Sequence, residues 1–212
     1  MSSKAVLFNF FASSASRRVR IALAIKEIEY EYKAIHLVKG EQLADNYKEI
    51  NPQCLIPTLL IDGQKLTQSL SIIEYLDETR PNPPLLPKDA LKRSQARTLA
   101  LIIGADIQPV QNLRVLKAVG DDRKMEWGKN VIDNGFEAFE KALQSTAGKY
   151  CIGDEVTIPD LFLVPQVYNA NRFKVDMSRF PTIARINDEL SKLEPFQVSH
   201  PSQQPDCPEE LR

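Results

Sequence analysis

Three serines and three arginines near the N-terminus form the most chemically suggestive group in the chain: Ser13, Ser14, Ser16, Arg17, Arg18 and Arg20. An apolar run, Ala5 to Phe10, precedes them, and Val19, Ala22, Leu23 and Lys26 recur behind them at helical spacing. The junction therefore reads as strand, hydroxyl-rich turn, helix. A serine placed there accepts from the unpaired N–H groups of the first helical turn. Those same groups, with the positive pole of the helix, stabilise an anion, and a thiolate is one. Two readings stay open on these residues alone. Either the serines only cap a helix whose arginines sit in solvent, or the turn is an anion site that activates sulfur.

Composition narrows the partners. With 212 residues, 43% hydrophobic content and a net charge of -1, the chain reads as a globular protein of one large or two modest domains. Neither nucleic acid nor a membrane is expected, for no basic excess and no apolar run near roughly 18 residues occurs. Cys54, Cys151 and Cys207 have no metal-ligand spacing, and His36 and His200 are the only histidines. No structural metal and a reducing, cytosolic setting follow as expectations.

The elements that must position the serine turn follow in order. Glu29 to His36 is rich in strand formers, and Lys39 to Lys48 is weakly helical. Thr58 to Ile61 reads as a buried strand, Asp62-Gly63 as a hairpin turn and Lys65 to Thr67 as the return strand. Pro57 stands just before that strand, either as a simple entry proline or as a cis residue that turns the backbone of Ile56 outward. Gln68-Ser69 opens a helix with Ser69 as its cap. The proline-rich stretch Arg80 to Pro87 marks a boundary between residues 1–80, a small α/β domain, and 88–212, all helical. In the second part Ala90 to Ala118 is one long helical stretch bent at Pro109, and Lys124 to Ser145 is another. Thr157 and Asp160 form a capping box ahead of a helix that is apolar almost all round, so it belongs at the centre of its domain. Pro181 to Leu193 is the last clear helix, and the proline-rich tail from His200 is expected to run irregularly over the surface.

Taken together, the serine turn, Ile56-Pro57-Thr58, Gln68-Ser69, the Ile107-to-Leu113 segment, Ser145 to Cys151 and His200 to Asp206 resemble the cytosolic glutathione transferases. More narrowly they are similar to the zeta class, whose members include maleylacetoacetate isomerases. The resemblance implies a thioredoxin-like N-terminal domain that binds glutathione and an all-α domain that contributes the electrophile site. It also implies a cytoplasmic homodimer acting on small electrophilic or acidic substrates, with a place in tyrosine and phenylalanine catabolism or in detoxification. By the same resemblance Ser13 hydrogen-bonds the glutathione sulfur, within a cofactor-binding turn of Ser13, Ser14, Ala15, Ser16, Arg17 and Arg18. Ile56 and Pro57 meet the cysteinyl part, Gln68 and Ser69 the γ-glutamyl carboxylate, and Gln42 the glycyl end. Gln108, Asn112, Leu113 and Arg114 form the second-domain wall, and Arg172 suits an acidic substrate.

Departures from the class pattern are equally plain. Ala15 stands where the class has Cys, and Arg17 where it has Trp, which exchanges an aromatic wall for a charged one. Cys54 could partly replace the missing thiol, or be a small buried apolar residue. Three functions follow: isomerisation of maleylacetoacetate, conjugation or dehalogenation with isomerisation lost, and ligand binding without catalysis.

Overall fold

The structure, a computed structural model, describes residues 4–212 as two compact units. The first comprises the chain up to Pro83 together with Glu194–Arg212, and the second comprises Pro84–Leu193.

In the first unit β1 (Ala5–Asn9) leads into α1 (Ser14–Ile25) and β2 (Tyr30–Ala34). Short turns and α2 (Asp45–Ile50) precede the hairpin β3 (Thr58–Ile61) and β4 (Gln64–Thr67), and α3 (Ser69–Thr79) follows. The sheet order is β2-β1-β3-β4, with β1 parallel to β2 and antiparallel to β3. This is the expected thioredoxin-like arrangement, and it puts β1 in the interior, where Leu7 pairs with Leu59. Its carboxyl end therefore delivers the serine turn from a rigid strand. The hairpin turns at Asp62 and Gly63, both at positive φ. The two outer strands carry Glu31, Lys33 and Lys65, charges that discourage further strand pairing. Val19, Ile21, Ala22 and Leu23 of α1 and Ile72, Ile73 and Leu76 of α3 are fully buried.

Lys26 closes this unit. Its side chain is buried and its Nζ donates to Asp77 Oδ1 at 2.7 Å and to the Pro83 carbonyl at 2.5 Å, so one ammonium joins α1, α3 and the linker.

The second unit is helical: α4 (Ala90–Leu101), α5 (Leu113–Val119), α6 (Lys124–Leu143), α7 (Ile158–Arg172) and α8 (Pro181–Ser191). The single long stretch expected over Ala90 to Ala118 is instead divided. A π-type turn spans Ile102–Ile107, and α5 starts anew after Pro109. Gly135 of α6 lies so close to Ile107 that a Cβ there has no room. The apolar helix expected at the centre is α7, in which every residue from Ile158 to Val167 is buried.

The capping box is present as read. Asp160 Oδ2 accepts from the Thr157 N–H at 2.7 Å and from its hydroxyl at 3.0 Å, while Oδ1 accepts from the Cys151 N–H at 3.0 Å. Leu85 of the linker adds its carbonyl, which accepts from the Ile158 N–H at 2.9 Å. Burial pushes the Asp160 carboxyl upward in pKa, and the bonds from Cys151 and Thr157 oppose that shift.

The tail corrects the sequence reading. Residues after Leu193 belong with the first unit, not with the helical part, and they do not run irregularly over the surface. Here α9 (Glu194–Val198) buries Phe196, and Ser199, Pro201, Gln204 and Cys207 are buried after it. Sequence-local patterns cannot reveal this, since the anchors are bonds from Arg17 and Arg20, 179 residues away.

Replacing Asp160 by alanine leaves the N–H groups of Cys151 and Thr157 without their acceptor in a dry interior. Urea unfolding of Asp160→Ala is expected to show a loss of about 2–4 kcal/mol. A loss under about 1 kcal/mol contradicts the capping role.

Candidate active site

The chain leaves β1 at Asn9 and turns through Phe10-Phe11-Ala12-Ser13, closed by the Ser13 N–H donating to the Phe10 carbonyl at 3.0 Å. Ser13 is the N-cap of α1, in extended backbone, and its Oγ accepts from the Ser16 N–H at 3.1 Å. Capping and chemistry are therefore compatible here. A hydroxyl that accepts one bond keeps its own proton to donate. Ser13 and Ser14 are half-buried, Ser16 is buried, and no acidic residue in the first turn offsets the positive pole.

The arginines do not sit in solvent. Arg17, Arg18 and Arg20 are 4%, 2% and 2% exposed. Arg17 donates to the Phe196 carbonyl in α9 at 3.2 Å, so it is a buried cation and not the charged wall expected. Arg18 donates to Ser69 Oγ at 3.2 Å, which links the first residue of α3 to the first turns of α1. Burial lowers Arg18 to about 9, still a cation at neutral pH. Arg20 is the most engaged: its two terminal nitrogens reach Asn9 Oδ1 at 3.0 Å and the carbonyls of Phe10, Phe11 and Ser199 at 3.2, 3.1 and 3.2 Å.

A second cluster fixes the approach to β3. The Ile56–Pro57 bond is cis. Before it, the Leu55 carbonyl accepts from Tyr47 Oη at 2.8 Å and Asn51 Nδ2 at 2.7 Å. Both groups also meet Thr58 Oγ1, at 3.0 and 3.1 Å. Tyr47, Asn51 and Thr58 are all at most 1% exposed. The sequence reading missed Tyr47 and Asn51, and the one signal for them was the polar Asn51 beside Pro52 in an otherwise apolar approach. Cys54 lies in this loop at φ 54°, partly buried, with a free thiol.

At α3 the expected cap is displaced by one residue. Gln68, not Ser69, holds the N-cap position, at φ 67°, and makes no side-chain cap bond. Ser69 is already helical and accepts from Arg18 instead. A non-glycine residue at positive φ before a helix start is strained, and such strain concentrates at ligand sites. Gln68 Nε2 donates to Gln53 Oε1 at 3.0 Å. Gln42 lies in the short turn Glu41–Leu43, and its Oε1 is buried without a hydrogen-bond partner among the described residues.

The other expected residues belong to the helical unit. Gln108, Asn112, Leu113 and Arg114 gather at the break around Pro109. Asn112 Oδ1 caps α5 by accepting from the Arg114 N–H at 2.8 Å. Trp127 Nε1, on α6, steadies this break by donating to the Val110 carbonyl at 3.0 Å. Its side chain is 41% exposed. Arg172 is the exposed last residue of α7.

Two family models match this chain: the N-terminal domain of glutathione S-transferase over residues 7–84 and the C-terminal domain over 113–196. The chain belongs to the glutathione S-transferase family, in its zeta class. Similar relatives include maleylacetoacetate isomerase of Mus musculus, 56% identical over 99% of this chain and 98% of that protein. Among solved structures, a bacterial zeta-class maleyl pyruvate isomerase is 42% identical with a TM-score of 0.93, covering 96% of this chain and 100% of that one. A maleylacetoacetate isomerase from Anaeromyxobacter dehalogenans, solved with glutathione in its active site, is 38% identical with a TM-score of 0.89 over 98% of this chain and all of that one.

Arg20→Met keeps the volume of the side chain and removes every donor. Several buried acceptors then lose their partner, and chemical denaturation is expected to report a loss of at least about 2 kcal/mol. Unchanged stability contradicts the role given to the guanidinium.

Proposed function

We propose that this protein catalyses the glutathione-dependent cis–trans isomerisation of maleylacetoacetate. The observation that carries the reading is Ser13, whose hydroxyl proton remains available while its oxygen caps α1. High identity to relatives named maleylacetoacetate isomerase supports the substrate.

The donor set fits glutathione group by group. A free hydroxyl at a helix start suits the sulfur, and the strained Gln68 with the opening of α3 suits the γ-glutamyl carboxylate. The backbone of Ile56, held by the Asn51 and Tyr47 bonds to its neighbour Leu55, suits the cysteinyl amide. The buried, unpartnered Oε1 of Gln42 suits an N–H donor near the glycyl end.

When bound, glutathione supplies a thiolate for reversible addition to the substrate double bond, about which rotation is free while the addition lasts. The work of the protein is to keep that sulfur ionised at neutral pH. A thiol has a pKa near 8.5, and each unit of lowering requires about 1.4 kcal/mol. One hydrogen bond to a charged atom contributes about 1.5–3 kcal/mol and a helix N-terminus about 0.3–1 kcal/mol. Ser13 and α1 together therefore supply about one to three units. Nothing in this sum uses the residue at position 15, so a methyl group at Ala15 leaves the thiolate apparatus intact.

The same reading gives Ser14, Ala15, Ser16, Arg17 and Arg18 to the glutathione turn. It gives Gln108, Asn112, Leu113 and Arg114 to the second-domain wall of the glutathione site and Arg172 to a substrate carboxylate. It also holds that the protein is a cytoplasmic homodimer. No helix among the described residues is long and apolar enough to cross a membrane.

Ser13→Ala tests the reading. The cap and the sulfur donor are lost together, so isomerisation is expected to slow by about tenfold to a hundredfold. Ser13→Gly is expected to be as slow, because glycine restores most of the cap but no donor. Full activity in Ser13→Gly assigns the activation to the helix alone and overturns the role of the hydroxyl.

A further inference from the structure

The turn that presents Ser13 is tied down from outside itself. Its first carbonyl, at Phe10, accepts from Arg20, and so does the carbonyl of Phe11. The Phe11 N–H donates in turn to Asp206 Oδ2 at 3.0 Å, and the other oxygen of that carboxylate accepts from Tyr32 Oη at 2.5 Å. Asp206 comes from the last few residues of the chain, 195 positions beyond Phe11. Its neighbour Cys207 is buried against Phe10 and Phe11. The segment is thus docked on the turn by apolar contact and by a charge-assisted bond at once.

We infer that Asp206 is a positioning residue for the Ser13 turn, and that the C-terminal segment sets the donor geometry on which sulfur activation depends. This rests on the function proposed above. The physical argument concerns which groups are fixed and by what. Ser13 is held to Phe10 by the closing bond of a four-residue turn, so a shift of the Phe11 peptide moves Ser13 with it. Of the Phe11 peptide groups, the carbonyl is held by Arg20 within the first unit's core and the N–H by the tail alone. A hydrogen bond to an ionised carboxylate is shorter and about twice as strong as a neutral one. The groups facing Asp206 are Tyr32 and, at longer range, Arg20. The hydroxyl of Tyr32 anchors the carboxylate to β2, so it cannot follow the turn if the turn relaxes.

The test titrates the thiol of glutathione bound to the full-length protein, by its thiolate ultraviolet absorbance, in the wild type, Asp206→Asn and Asp206→Ala. Turnover of maleylacetoacetate and the glutathione KM are measured beside it. Asp206→Ala is expected to raise the thiol titration by about one pH unit and to lower kcat about tenfold, with KM changed by less than about threefold. Asp206→Asn keeps an acceptor but not its charge, and is expected to fall between the alanine variant and the wild type. Tyr32→Phe keeps the Phe11 bond but frees the carboxylate from β2, so it is expected to raise the thiol titration by less than Asp206→Ala does. If both Asp206 variants lose stability yet titrate like the wild type, the segment is only structural and the inference is overturned. Should the alanine variant not fold, Asp206→Asn decides alone, and coincidence with the wild type overturns it. A wild-type thiol that titrates like free glutathione defeats the functional reading and this inference together. A lowered wild-type value with unmoved variants defeats this inference only.

Discussion

A guanidinium buried beneath the first turn holds the end of β1, the turn itself and the returning C-terminus in one place. Arg20 lies on α1, yet its acceptors belong to Asn9, Phe10, Phe11 and Ser199, so a single planar fork closes a circuit through three parts of the chain. A cation taken out of water is tolerated only when its donors find partners. Lysine, a point charge with no fork, does not meet four acceptors arranged this way. Burial works against the charge of Arg20, and the nearby Asp206 carboxylate works for it. The rest of the site inherits its position from this arrangement.

From there the construction runs through helix starts and backbone, not through a cluster of reactive side chains. Ser13 stands at the start of α1 and Ser69 at the start of α3, and Arg18 of α1 donates to Ser69. Asn51 and Tyr47 fix the Leu55 carbonyl just ahead of the cis peptide. Such a design suits a peptide ligand with one thiol and several charged ends, since N–H groups and hydroxyls recognise anions without themselves reacting. It also explains how Ala15 and Arg17 are accommodated. Ala15 carries no side-chain donor or acceptor, and Arg17 turns its charge toward the Phe196 carbonyl, where it helps to anchor the returning tail.

Much of this was legible in the sequence because it is local. The strand–turn–helix junction, the Asp62-Gly63 hairpin and the Thr157–Asp160 capping box each depend on residues within a few positions of one another. The apolar circumference of α7 announced its burial for the same reason. What escaped depends on distance along the chain. Solvated arginines are the ordinary expectation for three cations in a helix, and only a tail returning from residue 194 onward buries Arg17 and Arg20. The one-residue displacement at α3 escaped because serine is the better cap by type, whereas here Arg18 claims its hydroxyl and leaves the cap to Gln68. The divided helix around Pro109 shows a proline acting with Gly135, whose missing side chain lets α6 close upon Ile107.

Under the proposed function the protein ionises the sulfur of the glutathione it holds. Difference absorbance of the wild-type complex with glutathione, followed from acid to alkaline pH, measures that directly. The expected thiolate midpoint lies about one to three units below the ordinary thiol value near 8.5. A midpoint at the value of free glutathione, with glutathione demonstrably bound, contradicts it.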